Sequence, residues 1–153
     1  MMRKLLPATL VLLLLSGAAW AASTNFNVTI NIRQAITITK ISDLDFGTVE
    51  AGSTTYTVAA ATSGHNAGAS ATAATFDVDG TDGAAATVQV SSPVTVTGLN
   101  LGGTGSVALS LSATNITFPS GTPERVYVGG SIDVTGLAAD DYSGSSTITV
   151  LYQ

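Results

Sequence analysis

From Phe26 to Ile38 the sequence reads FNVTINIRQAITI, and Phe26, Val28, Ile30, Ile32, Ile36 and Ile38 all fall on even positions. Asn27, Thr29, Asn31, Arg33, Ala35 and Thr37 fill the odd ones. Strict alternation places one set of side chains on one face of an extended strand, and a face this apolar has to be buried. The run covers 13 residues, roughly 44 Å at about 3.4 Å per residue, whereas a common strand is about 17–20 Å long. A small domain does not need a first strand of that length for itself. Where the surplus is buried is the question that most constrains the fold.

The first 21 residues are set apart by their composition. Arg3 and Lys4 precede an apolar block from Leu10 to Leu15, and Ala19-Trp20-Ala21 offers small residues at the positions a signal peptidase reads. A signal peptide over residues 1–21 is expected, and the chain after it, Ala22 to Gln153, is the length of one domain. Such a chain can bury enough surface to fold without staples, so the lack of cysteine is compatible with export. Removing Arg3 and Lys4 leaves Arg33, Lys40 and Arg125 against ten acidic residues, a net charge of −7. That balance argues against nucleic acid or an anionic membrane as partner. No second long apolar run follows, so no transmembrane anchor is expected.

Beyond residue 22, Thr, Ser, Gly, Ala and Val dominate and helical periodicity is missing. Short alternating runs are read at Leu44–Val49, Thr55–Ala59, Thr75–Val78, Thr87–Val90, Val94–Thr97, Val107–Leu111, Asn115–Phe118, Val126–Val128, Ser131–Val134 and Thr147–Tyr152. Asp79-Gly80, Asp82-Gly83, Gly102-Gly103, Pro119-Ser120-Gly121 and Gly129-Gly130 supply turn chemistry between them, and residues 60–74 read as a loop. Many short strands at this spacing predict an all-β sandwich or barrel. The last run, with Ile148, Val150 and Tyr152 on one face, is expected to be a strand whose edge stays uncovered.

The chemistry-bearing residues are few. His65 is the only imidazole and sits in a Gly/Ala/Ser loop without a neighbouring carboxylate or a nucleophile signature. Asp77, Asp79 and Asp82 crowd together in FDVDGTDG as a candidate calcium site, but their spacing does not match an EF-hand loop, and a hairpin turn is the simpler reading. Gly102-Gly103-Thr104-Gly105 lacks the Lys and helix of a phosphate loop. No catalytic residue, cofactor or metal site is expected, and the chain is not read as an enzyme.

Four blocks carry a resemblance: LDFGTV (44–49), ATFDVDGTDG (74–83), VYVGGSIDV (126–134) and DYSGSSTITVLY (141–152). In this order they resemble a large bacterial family of secreted, Gly/Thr-rich domains of unassigned function that end in a Y-S-G-x-x-x-V-T-V-x-Y pattern. More loosely, that family is similar to the pilin subunits of the chaperone–usher pathway and to the spore-coat-U-like group. The resemblance implies an immunoglobulin-like β-sandwich lacking its final strand, completed by the N-terminal extension of a neighbour. On that view residues 22–33 are a donor strand with Phe26, Val28, Ile30 and Ile32 as its knobs, and residues 34–153 form the sandwich. Gln34, polar on the apolar face, marks where the lent strand stops and the chain's own first strand, Ala35 to Ile41, begins. Ile148, Val150 and Tyr152 are expected to form one wall of the groove.

The function implied is a structural subunit of a surface fibre, polymerising with copies of itself or related subunits by strand addition. A periplasmic chaperone and an outer-membrane usher are the implied partners, and the route runs through the periplasm to the cell surface. The alternative is a self-contained secreted sandwich in which the first strand pairs within its own chain and the loops bind a glycan or surface partner. Periodicity alone leaves both open.

Overall fold

The computed structural model describes residues 22–52 and 54–153, so the expected signal peptide lies outside the described residues. The chain divides into two units, one reaching Asn31 and one from Ile32 to Gln153. In the first, residues 22–31 carry neither helix nor strand, and Phe26, Val28 and Ile30 are 82–84% exposed.

The second unit is all-β, with no helix among the described residues. Its strands are β1 (Thr37–Ser42), β2 (Thr55–Val58), β3 (Ala74–Asp79), β4 (Ala85–Val90), β5 (Val94–Gly98), β6 (Thr104–Leu111), β7 (Asn115–Thr117), β8 (Glu124–Asp133), β9 (Tyr142–Ser143) and β10 (Ile148–Tyr152). Seven of them form one sheet, ordered β1-β3-β8-β6-β5-β9 with β2 also on β8, and β10-β4-β7 form a second. Every pairing is antiparallel. No helix among the described residues is long and apolar enough to cross a membrane.

The core follows from strand alternation. Ala86 and Val88 of β4, Ile116 of β7 and Val150 of β10 meet Val78 of β3 and Val126 of β8, with Phe118 among them. There the two sheets face each other. A second cluster holds Val96, Val107, Ile132 and Val134, flanked by half-buried Phe46, Val49, Leu109, Leu137 and Tyr142. It draws nothing from the small sheet, so loops alone cover this half of the large one.

Three strand expectations change. The runs read as Val126–Val128 and Ser131–Val134 are one strand, β8, passing straight through Gly129-Gly130. A Cβ at Gly129 would lie 2.2 Å from the Val58 carbonyl oxygen and 2.5 Å from the Ala60 nitrogen. Gly129 therefore lets the end of β2 approach β8, and Gly130, where a Cβ would come within 3.1 Å of the Ala108 carbonyl oxygen, does the same for β6, so the pair does not turn the chain. Leu44–Val49 is not a strand; only a bridge from Asp45 to Thr72 remains there. The opening run is extended sheet only from Thr37, because β3 ends at Asp79, the partner of Thr37, and offers earlier residues no ladder.

Candidate functional site

The small sheet is too short to cover the large one. β4 ends at Val90 and β10 begins at Ile148, and beyond them a groove of about 1140 Å³ opens over the large sheet. Its floor is Phe76 of β3, Val128 and Ile132 of β8, Val107 and Leu109 of β6 and Val94 and Val96 of β5. Residues 43–51 and 137–147 form its sides, and Ile148 stands at the end nearest the small sheet. Small-molecule pockets are typically about 300–1,000 Å³ and carry a few convergent polar groups. This one is larger; its floor is aliphatic and aromatic, while Lys40, Asp43, Asp45, Glu50, Asp140 and Asp141 stand along its sides.

Beside the groove lies an open sheet edge. β10 pairs with β4 alone, leaving its other flank without a ladder along Ile148-Thr149-Val150-Leu151-Tyr152. The other edges are blunted. β1 is broken by a bulge between Lys40 and Ser42, and Lys40 pairs with Asp43 at 2.7 Å. β2 is bridged by Asn66 through Thr57, and β7 and β9 have three and two residues. Bulges, charges and brevity are how sheets refuse further strands, and β10 has none of them.

The residues expected at the site are placed as follows. Ile148 lines the groove and is half-buried; Val150 is buried in the first core, and half-buried Tyr152 packs against it. Ile32 is 83% exposed, and with Phe26, Val28 and Ile30 it is more exposed than any other large apolar residue described. These four apolar side chains therefore have the alternation of a core strand without the burial of one.

Tyr152 holds the point where the extension joins the domain. Its hydroxyl accepts from the Thr81 N–H at 2.7 Å and donates to the Gln34 carbonyl at 2.7 Å. The Gln34 N–H donates to Thr81 Oγ1 at 2.7 Å, and the Arg33 guanidinium lies 5.0 Å from the Tyr152 ring centroid while donating to the Gln153 carbonyl at 3.2 Å. Phe118 meets the same ring edge-on, with centroids 5.8 Å apart. Arg33 and Gln34 are thus fixed at the far end of β10 by hydrogen bonds and a cation–π contact. Gln34 is the polar residue that interrupts the alternation, and its carbonyl has this use.

The acidic candidates are not gathered into a metal site: no group of three metal-ligating side chains converges among the described residues. Asp77 takes a two-pronged ion pair from Arg125, its cross-strand neighbour, at 2.8 and 2.9 Å. That guanidinium holds the Asp77 carboxyl below the usual range. Asp79 accepts from the Gly80 N–H at 2.9 Å. His65 Nδ1 accepts from the Ala59 N–H at 3.2 Å and so closes its own loop.

Asp140 carries no local sequence signal for the role it plays. Its carboxylate accepts from the Leu101 N–H at 2.7 Å, from the Asn100 N–H and side-chain amide at 2.9 and 2.7 Å, and from the Asp141 N–H at 2.9 Å. The Leu101 N–H is the largest cause holding its pKa down to about 2, with partial desolvation acting the other way. A folded pKa below the ordinary 3.8 means that the stabilisation is complete above about pH 4 and is lost as pH falls towards 2. Asp140→Asn should therefore lower the melting temperature at pH 7. The gap to the unaltered chain should close between pH 4 and pH 2, which melts followed by circular dichroism would record; a gap independent of pH would assign the effect elsewhere.

A family described as a domain of unknown function (DUF4402) matches residues 36–152, a span that takes in all ten strands and ends at Tyr152. No curated protein matches the chain.

Proposed function

We propose that this chain, which belongs to the DUF4402 family, is a structural subunit of a surface fibre in which residues 22–33 of one copy complete the fold of the next. The observation that carries this reading is the pairing of an unblunted β10 edge with an adjoining apolar groove that the small sheet does not reach. A strand added at that edge satisfies backbone groups along one flank and buries alternate side chains. Phe26, Val28, Ile30 and Ile32 supply such side chains, over about 20 Å at roughly 3.4 Å per residue, close to the length of β10 itself.

The magnitude supports it. Burying four such residues at about 1.5–3 kcal/mol each gives roughly 6–12 kcal/mol before ordering costs. That is comparable to the about 5–15 kcal/mol by which whole domains are stable. In this reading the finer architecture is an immunoglobulin-like sandwich one strand short. Its likeness to chaperone–usher pilins gives the route: export to the periplasm, protection of the open edge by a chaperone, delivery through an usher to the cell surface. No catalytic step belongs to it.

The test is the mass distribution of the chain beginning at Ala22, by light scattering across concentration, with and without excess synthetic peptide of residues 23–33. Concentration-dependent oligomers that the peptide caps are the expected result. A monomer at every concentration, indifferent to the peptide, would overturn the proposal in favour of a self-contained binding module.

A further inference from the structure

The β5–β6 connection, Leu99 to Gly103, presents two leucines to solvent on a backbone that is held firmly. The Gly98 N–H donates to the Gly103 carbonyl at 2.7 Å, the Leu99 N–H to the Asp141 carbonyl at 2.9 Å, and the Asn100 and Leu101 N–H groups to Asp140. Gly102 closes the turn with φ +70°, and a Cβ at Gly98 would come within 2.6 Å of the Asp140 carboxylate. Leu99 and Leu101 nevertheless remain 69% and 65% exposed. A rigid loop that displays apolar side chains is pre-organised for a contact, because little freedom is left to lose on binding.

Leu101, Asn100, Asp140 and Asp141 also line the groove, so Leu101 stands at its rim, with Leu99 two residues away on the same short connection. We infer that they form a seat for the body of a second copy of this chain, the copy whose residues 22–33 fill the groove; this rests on the fibre reading above. The direction of insertion is what brings that body to this end. If a donor strand ran parallel to β10, its Ile32 end would emerge beside Tyr152. That place is taken by the acceptor's own Arg33 and Gln34, bonded to Tyr152, Thr81 and Gln153. Running antiparallel, as every pair in this fold does, the donor emerges at the Ile148 end, where the groove continues to Leu101. The donor's globular body is tethered to that point by its own Gln34 and must lie against the rim. The acidic charge of the chain, with Asp140 and Asp141 beside the leucines, makes an anionic bilayer the poorer occupant.

The test uses the chain beginning at Ala22 carrying L99S and L101S together. Both side chains are mostly exposed, so the melting temperature of the monomer should not move. The concentration at half-assembly should rise about tenfold or more, from the loss of two buried leucines, while the peptide of residues 23–33 still caps growth. In a second chain Leu101 is replaced by a photo-cross-linking amino acid, and irradiation should join two copies through peptides around residues 33–37 or 79–84 of the donor. An unchanged half-assembly concentration, or cross-links confined to other regions, overturns this inference and leaves the fibre reading standing. Assembly that does not occur at all, or that survives replacement of Ile30 by Asp, overturns the fibre reading and this inference with it.

Discussion

Ile30→Asp should abolish assembly while leaving the melting temperature of the monomer where it was. The side chain is 84% exposed in the single chain, so a carboxylate there costs the isolated fold little. In the proposed fibre the same position turns toward the apolar floor of the groove, where a charge would lack a partner. The loss combines about 1.5–3 kcal/mol of missing burial with several kcal/mol for an unpaired buried charge. At 1.4 kcal/mol per tenfold, affinity should fall by about a thousandfold or more. Thr29→Asp, on the opposite face of the same strand, should weaken assembly far less. Sedimentation velocity of the three chains decides the matter. If the first strand instead pairs within its own chain, Ile30→Asp should lower the monomer's melting temperature. If assembly proceeds undiminished, the donor role fails.

The second large effect is expected at Tyr152. Tyr152→Ala removes a ring that packs on Phe118, supports Arg33 and anchors both Gln34 and Thr81, and should cost about 3 kcal/mol. Gly80 shows how closely the ring is packed: a Cβ there would meet the Phe118 ring and the Tyr152 hydroxyl at 2.7 Å. Tyr152→Phe isolates the hydroxyl. It leaves the ring in place, strands the Thr81 N–H and the Gln34 carbonyl, and should cost about 1–2 kcal/mol. Urea unfolding gives both numbers, and amide exchange supplies an independent reading. The Thr81 N–H should exchange much faster in Tyr152→Phe while the β3–β8 amides keep their protection. Unaltered exchange at Thr81 would mean that the hydroxyl does not hold the root of the extension.

How much of this could be read from the sequence depended on whether the information was local. Strands β3 to β7 and β10 announce themselves by alternation, and their ends fall within a few residues of the expected ones, at Ala74–Asp79, Ala85–Val90, Val94–Gly98 and Thr104–Leu111 among others. Gly129-Gly130 misled because a glycine pair has the same local chemistry in a turn and in a strand crowded by a neighbour. The backbone that requires Gly129, at Val58 to Ala60, lies some 70 residues away in sequence, and that which crowds Gly130, at Ala108, some 20. The LDFGTV block looked like a strand because Leu44, Phe46 and Val49 are apolar, yet they serve as a wall over the second core, which asks for apolar residues and not for a ladder. The alternation of Phe26, Val28, Ile30 and Ile32 was legible; that these residues would stay exposed in a single copy was not. The groove was invisible for a different reason. It exists because the small sheet stops at Val90 and Ile148, a statement about two strand ends and the length of a third element, and no short window of sequence contains it. Asp140 likewise acquires its role only when the β5–β6 turn is folded beneath it.

The long strand β8 pairs with β3 through residues 124–128 and then with β2 through 130–133, while β6 occupies its other flank. β2 and β3 are thus each registered by β8 and not by the stretch that joins them. Within that stretch Asn66 is bonded to Thr57, Gly68 to Phe46 and Thr72 to Asp45, which leaves the tip from Thr62 to Gly64 exposed and free of backbone pairing. Lengthening a loop whose ends are held elsewhere costs only about 0.6 kcal/mol per doubling. The protein therefore contains a natural insertion port: foreign epitopes or affinity tags spliced between Thr62 and Gly64 should be carried on an intact scaffold, and, wherever copies are strung together, displayed once per repeat.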